Sequence, residues 1–250
     1  MGNVAMPHDG AGRSRCAEGR GETGSGQCPP ARQRGAAGES EGNMVRSPHA
    51  EIVCIIDRSG SMESIRQDAI GGFNRFMDEQ KKLPGDARLT LVLFNDEYAL
   101  VADGAPLSRF RPLDDETYVP SGTTALLDAV GRTLAGLRAR IDGLAPAERP
   151  DTVVVSILTD GMENVSREYT YERIAGMIAE CREKRGWEFI FLAANQDAFV
   201  TGNALAIDRK NTVQFSSTHE GLATAYKSMC EAVSDSRMRR GRRNTGRGMA

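Results

Sequence analysis

Histidine is scarce in this sequence: His8 and His49 fall in or beside a polar arm, and His219 starts the last helical stretch. None is placed to act as a catalytic base. The five cysteines, Cys16, Cys28, Cys54, Cys181 and Cys230, are an odd number without CxxC spacing. That pattern excludes a disulfide framework and reads as reduced cytosolic thiols. No apolar run approaches the roughly 18 residues of a membrane span, and the first thirty residues hold no apolar signal core. Neither secretion nor membrane insertion is expected, and a cytoplasmic setting follows.

Large apolar side chains are almost missing from residues 1–48, which are rich in Gly, Ser, Arg, Glu and Pro. Such a stretch buries too little surface to offset its ordering entropy, so a disordered arm is expected there. Met44 stands just before the first apolar run and is a candidate for the true start of translation. The net charge of -2 hides an asymmetry. Residues 234–250 carry six Arg against the single acid Asp235, whereas the body between arm and tail is strongly acidic. An acidic body is a poor surface for phosphate contacts, so nucleic acid is not expected to bind the domain itself. The domain is read as 49–233, and 234–250 as a disordered basic tail.

Within the body, strand and helix patterns alternate. Residues 52–56 form an apolar run read as a buried strand; Met62, Ile65, Ala69, Phe73 and Phe76 then repeat at helical spacing. Leu89 to Phe94 reads as a second strand, turned by Asn95-Asp96-Glu97 into a hairpin partner at residues 98–101. A polar loop spans 103–120. Further helical stripes lie at 126–141, 171–185, 196–207 and 222–233, with apolar strands at 151–158, 188–194 and 212–215. Strands separated by helices predict an α/β domain of three layers, with a mostly parallel sheet, one antiparallel edge strand and helices on both faces.

Three loops carry hard oxygen donors. Asp57, Ser59 and Ser61 follow the first strand at every second position; Ser121-Gly122-Thr123-Thr124 opens a helix; Thr159-Asp160-Gly161 ends the strand at 151–158. Ligands of such sheets bind beyond the carboxyl ends of the strands, where connections diverge, and Asp57 and Asp160 both stand there. Two Asp carboxylates with Ser and Thr hydroxyls suit Mg²⁺, with Mn²⁺ as a second choice, and the absence of His and Cys speaks against zinc. Each loop has a plainer reading as well: Ser61 as a helix N-cap, Thr123 or Thr124 as another, Asp160-Gly161 as a turn. Glu163 and Asn164 either line the rim or are solvated.

The motifs Asp57-x-Ser59-x-Ser61, Gly122-x-Thr124 and Leu158-Thr159-Asp160-Gly161 together resemble the von Willebrand factor A (vWA) domain with its metal-ion-dependent adhesion site, in its bacterial cytosolic type. The resemblance covers roughly residues 51–233. It implies a Rossmann-like vWA fold in which Ser59, Ser61 and Thr124 coordinate the metal directly, and Asp57 and Asp160 directly or through water. Thr123 is the alternative threonine. It further implies a protein-binding module without catalysis, whose metal takes an acidic residue of a protein partner. A co-subunit of an ATPase or chelatase assembly is the alternative. A phosphohydrolase of haloacid dehalogenase pattern requires a second Asp two residues after Asp57, and Ser59 stands there.

Overall fold

The computed structural model describes residues 49–194 and 198–245, with side chains to residue 239. The arm expected at 1–48, Gln196 and the last five residues of the tail lie outside the described residues. Strand β1 (His49–Asp57) runs into a 3-10 turn and helix α1 (Arg66–Lys82); β2 (Asp86–Phe94) and β3 (Tyr98–Pro106) follow. Then come α2 (Leu126–Gly143), β4 (Thr152–Thr159), α3 (Tyr171–Arg185), β5 (Glu188–Ala193), α4 (Ala198–Ala204), β6 (Thr212–Gln214) and α5 (His219–Thr245).

The six strands form one sheet in the order β3-β2-β1-β4-β5-β6. All neighbours are parallel except β2 and β3, whose hairpin makes the antiparallel edge. The expected polar loop at 103–120 therefore begins as strand, since β3 runs to Pro106, and its Leu113 and Tyr118 are buried. A tyrosine in a polar stretch finds a core only once the chain folds back over α1.

Strand periodicity divides the core in two. Ile52, Cys54 and Ile56 of β1 pack with Phe73, Phe76 and Met77 of α1 and with Leu222, Met229 and Val233 of α5. Val53 and Ile55, one residue out of phase, pack on the other face with Val130, Leu134 and Leu137 of α2 and Ile174 and Ile178 of α3. Central strands buried on both faces must be apolar at every position, which is why β1 and β4 read as continuous runs. Each fully buried Phe or Ile here contributes roughly 1.5–3 kcal/mol. Helix α3 shows the local signals most plainly: Thr170 accepts a hydrogen bond from the Arg173 N–H, and Gly186 closes the helix with φ of 65°. A left-handed residue there favours glycine.

From β1 the chain crosses by α1 to β2 on one side; from β4 it crosses by α3 to β5 on the other. The carboxyl ends of β1 and β4 thus flank the point where connections diverge, the crevice in which such sheets hold ligands.

One boundary differs from expectation. Helix α5 does not stop at Val233 but continues to Thr245. Ser236 and Arg237 are buried beyond it. Arg237 donates through Nη1 to the Gln80 main-chain oxygen at 2.6 Å and through Nη2 to Gly85 O at 3.4 Å, and Ser236 Oγ donates to Glu188 Oε2 at 2.6 Å. The segment lacks an apolar stripe because its anchors are polar, so hydrophobic periodicity misses it. Among the described residues no helix is long and apolar enough to cross a membrane. Ending the chain after Val233 removes these charge-assisted bonds, and urea unfolding is expected to show a loss of roughly 2–4 kcal/mol.

Candidate metal centre

Strand β1 delivers Asp57 to the crevice fully buried. The turn that follows folds back on it: the Ser59 N–H donates to Asp57 Oδ1 at 2.7 Å. From β4, the Thr159 hydroxyl donates to Asp57 Oδ2 at 2.5 Å. The Tyr118 hydroxyl holds the Asp57 main-chain oxygen from below at 2.6 Å. The Ser59 and Ser61 hydroxyls lie 3.1 Å apart, and Ser61 Oγ donates to Asp160 Oδ1 at 2.5 Å. Thr124 is buried, and its Oγ1 stands where a Cβ on Gly161 would come within 2.8 Å, with Ser61 Oγ 3.7 Å from the same point. The structure therefore brings Asp57, Ser59, Ser61, Thr124 and Asp160 into one cluster. Thr123 is exposed, its N–H turned to Asp96 Oδ1, so Thr124 is the threonine of the cluster.

Backbone bonds lock the three loops to one another. Gly60 N–H donates to Gly122 O at 3.1 Å and Ser121 N–H to Arg58 O at 2.9 Å. Thr124 and Asn164 exchange two bonds: Thr124 N–H to Asn164 Oδ1 at 3.0 Å, and Asn164 N–H to Thr124 O at 3.2 Å. Asn95 Nδ2 donates to Ser121 O at 2.8 Å. Gly122 has φ of 69°, and any Cβ there would stand 1.8 Å from Asp96 Oδ1, so only glycine fits this corner.

Two helix starts depart from the expected caps. Ser61 does not cap α1: a 3-10 turn (Gly60–Ile65) intervenes, and the Ser61 hydroxyl is committed to Asp160. Neither threonine caps α2. Its first free N–H groups are met from the β4–α3 loop, Leu127 N–H by Glu163 Oε2 at 2.9 Å and Asp128 N–H by Ser166 Oγ at 3.1 Å. Asp128 reciprocates, accepting from the Arg167, Glu168 and Tyr169 N–H groups. Glu163 is thus a brace of the site and not a solvated residue. Thr159, Glu163, Asn164, Asn95 and Tyr118 are the supporting residues that sequence reasoning missed. The sequence places Thr159 within a motif, Glu163 and Asn164 beside Asp160 and Asn95 in a hairpin turn, but assigns none of them a bracing role.

Burial pushes the Asp57 carboxyl up from 3.8 to about 6, against the lowering effect of its bonds from Ser59 and Thr159, and the nearby Asp160 charge adds to the rise. Burial raises Asp160 too, against its bond from Ser61. Two carboxylates are held close in a desolvated crevice whose other groups are hydroxyls and N–H donors. That environment disfavours both charges until a cation joins them.

The residues fit a small hard cation. Mg²⁺ wants about six oxygens, takes few carboxylates and often keeps water. Asp57, Asp160, Ser59, Ser61 and Thr124 would hold it, with hydroxyls leaving much of its charge unneutralised. Among the described residues no group of three or more His, Cys, Asp and Glu is placed to hold a metal, so a cation here rests on those hydroxyls.

No family model and no curated protein matches the chain. Solved structures do. Proximal thread matrix protein 1 from the mussel byssus superposes with a TM-score of 0.51 at 17% identity, covering 76% of this chain and 47% of its own. A second structure of that mussel protein has a zinc-occupied adhesion-site motif and matches with a TM-score of 0.51 at 17% identity, with the same coverage of 76% and 47%. This chain spans about half the length of that protein. The fold is that of the vWA domain, as the three motifs led one to expect.

The shift at Asp57 has a stability consequence of definite sign. Its folded pKa exceeds its unfolded value, so the unfolded chain binds fewer protons between the two. The stability this group lends the metal-free protein is full below pH 4 and lost as pH rises through about 6, a change of at most about 3 kcal/mol. Urea unfolding in chelator at pH 5 and pH 8 should show Asp57→Asn gaining on the wild type as pH rises.

Proposed function

We propose that this chain is a divalent-metal-dependent protein-binding module. Asp57, Ser59, Ser61, Thr124 and Asp160 hold Mg²⁺, and an acidic residue of a protein partner completes its coordination. The observation that carries this reading is the convergence of three hydroxyls and two destabilised carboxylates at the switch point of the sheet, braced from three loops. When bound, the ion supplies a positive centre that a carboxylate can enter. The protein's own part is to hold oxygens in place, and the trans caps on α2 make that framework rigid before a ligand arrives.

The rim favours docking by a protein. Val119, just before the threonine loop, and Met162, just after Asp160-Gly161, are large apolar side chains left 43% and 63% exposed. Apolar contacts beside a charged anchor suit a partner segment in which an acid is flanked by hydrophobic residues. The zinc in the mussel protein's motif supports a divalent ion at this type of site, and Mg²⁺ is preferred here because every donor is a hard oxygen. The role proposed here is binding and not catalysis, with the carboxylates of Asp57 and Asp160 assigned to the cation. The buried, unpaired thiols Cys54 and Cys181 support a reducing, cytoplasmic setting. A role as a subunit of an ATPase or chelatase assembly uses the same chemistry and differs only in the partner.

Calorimetric titration with Mg²⁺ and with Mn²⁺ is expected to give one site per chain in the wild type. Asp57→Ala and the double variant Ser59→Ala/Ser61→Ala are expected to give none, with circular dichroism showing the fold retained. A wild type that takes up no metal even with acetate present would sink the reading. Capture of a partner on immobilised protein should be lost in chelator, and Met162→Ser should weaken it without altering metal uptake.

A further inference from the structure

At the other end of the sheet, about 26 Å along β1 from Asp57, lies a cavity of about 370 Å³ lined by residues that include Lys81, Arg88, Arg237, Asp86 and Ser108. Its volume falls in the range of small-ligand pockets. Three of these side chains are cations and one, Asp86, is an acid.

Arg237 is the feature that demands an account. It is only 7% exposed, yet no carboxylate of the described residues forms an ion pair with it. Buried charges are ordinarily paired, since desolvation of an isolated one is costly. Its partners are all neutral: Gln80 O at 2.6 Å, Gln80 Oε1 at 3.1 Å and Gly85 O at 3.4 Å. The carbonyls at the end of α1 offset about half a charge. Arg88 adds a second cation, donating to Gly104 O at 3.1 Å and likewise lacking an ion pair among the described residues. Lys81 is held by Asp78 at 3.6 Å. Burial disfavours the charged form of Arg237, in keeping with a guanidinium short of anionic company.

We propose that this cavity is an anion site, taking a compact oxyanion of the phosphate class, free or as the phosphate of a small metabolite, between Arg237, Arg88 and Lys81. Arg237 spends three of its five N–H groups on carbonyls. Its remaining donors meet the oxyanion together with the Arg88 guanidinium and Lys81, and the three cations outnumber Asp86 and Asp78. Because Arg237 also ties α5 to the end of α1, an occupant stabilises the docking of α5. The site is independent of the metal centre and does not rest on its reading.

The test is titration of inorganic phosphate into the full chain in chelator, followed by calorimetry and by thermal unfolding, against chloride at equal ionic strength. One saturable site is expected, with a rise in Tm that saturates alongside it. Arg88→Gln, which removes an exposed charge without disturbing the core, should weaken binding about tenfold. Asp57→Ala should leave it unchanged. Arg237→Gln should abolish it, and if that variant fails to fold, Arg88→Gln alone decides. Binding of glycerol phosphate tighter than inorganic phosphate would assign the metabolite form, and the reverse the free ion. Stabilisation that never saturates, or that Arg88→Gln leaves intact, would overturn the proposal, since phosphate then acts only as an excluded salt.

Discussion

Everything around the metal centre follows from one demanding placement: a carboxylate, Asp57, buried at the end of a central strand. A β1 flanked by parallel strands on both sides offers no solvent to that group, and its acidity suffers accordingly. The fold answers with donors from every loop in reach, the Ser59 N–H and the Thr159 hydroxyl on the carboxylate and the Tyr118 hydroxyl on the main-chain oxygen behind it. These bonds orient the carboxylate but do not neutralise it. A residual charge in a desolvated crevice is what makes the place receptive to a cation.

The same economy of donors explains the loops. Serine and threonine beside a helix start usually serve as caps, and here they are withheld from that work. Glu163 and Ser166 cap α2 from a distant loop, and Asp128 of α2 caps that loop in return. Reciprocal capping frees the Thr124 hydroxyl and fixes two of the three loops as one rigid piece. The third is joined to them by main-chain bonds through Gly60 and Ser121. Preorganisation of this kind lowers the ordering cost of binding, because little has to be immobilised when the ligand arrives. At the opposite end of the sheet, Arg237 plays a comparable structural part, closing α1 with a charge that the described protein does not itself pair.

How much of this was legible depended on the range of the interaction concerned. The alternation of strand and helix, the hairpin edge and the two-faced core were visible in local periodicity, since a buried strand and an amphipathic helix each leave a repeat of their own. Asp57, Ser59, Ser61 and Asp160 were visible because they cluster at strand ends. The reach of α5 to Thr245 was hidden: its anchors, Ser236 and Arg237, are polar, and their partners Glu188 and Gln80 lie far away in sequence. Arginine-rich composition read as a tail because nothing local distinguishes a solvated guanidinium from one that caps another helix.

The sequence by itself determined the class of fold and the types of oxygen that gather at one edge, because hydrophobic period and strand-end chemistry are local properties of a chain. Tertiary structure alone decided which hydroxyls are free to serve a cation and which are spent on capping. It selected Thr124 over Thr123, gave Glu163 and Asn164 their bracing role, and set the burial that shifts Asp57. Each of those depends on groups from separate loops meeting in one desolvated space, and the strength of an electrostatic interaction is a property of that space and not of the residues entering it.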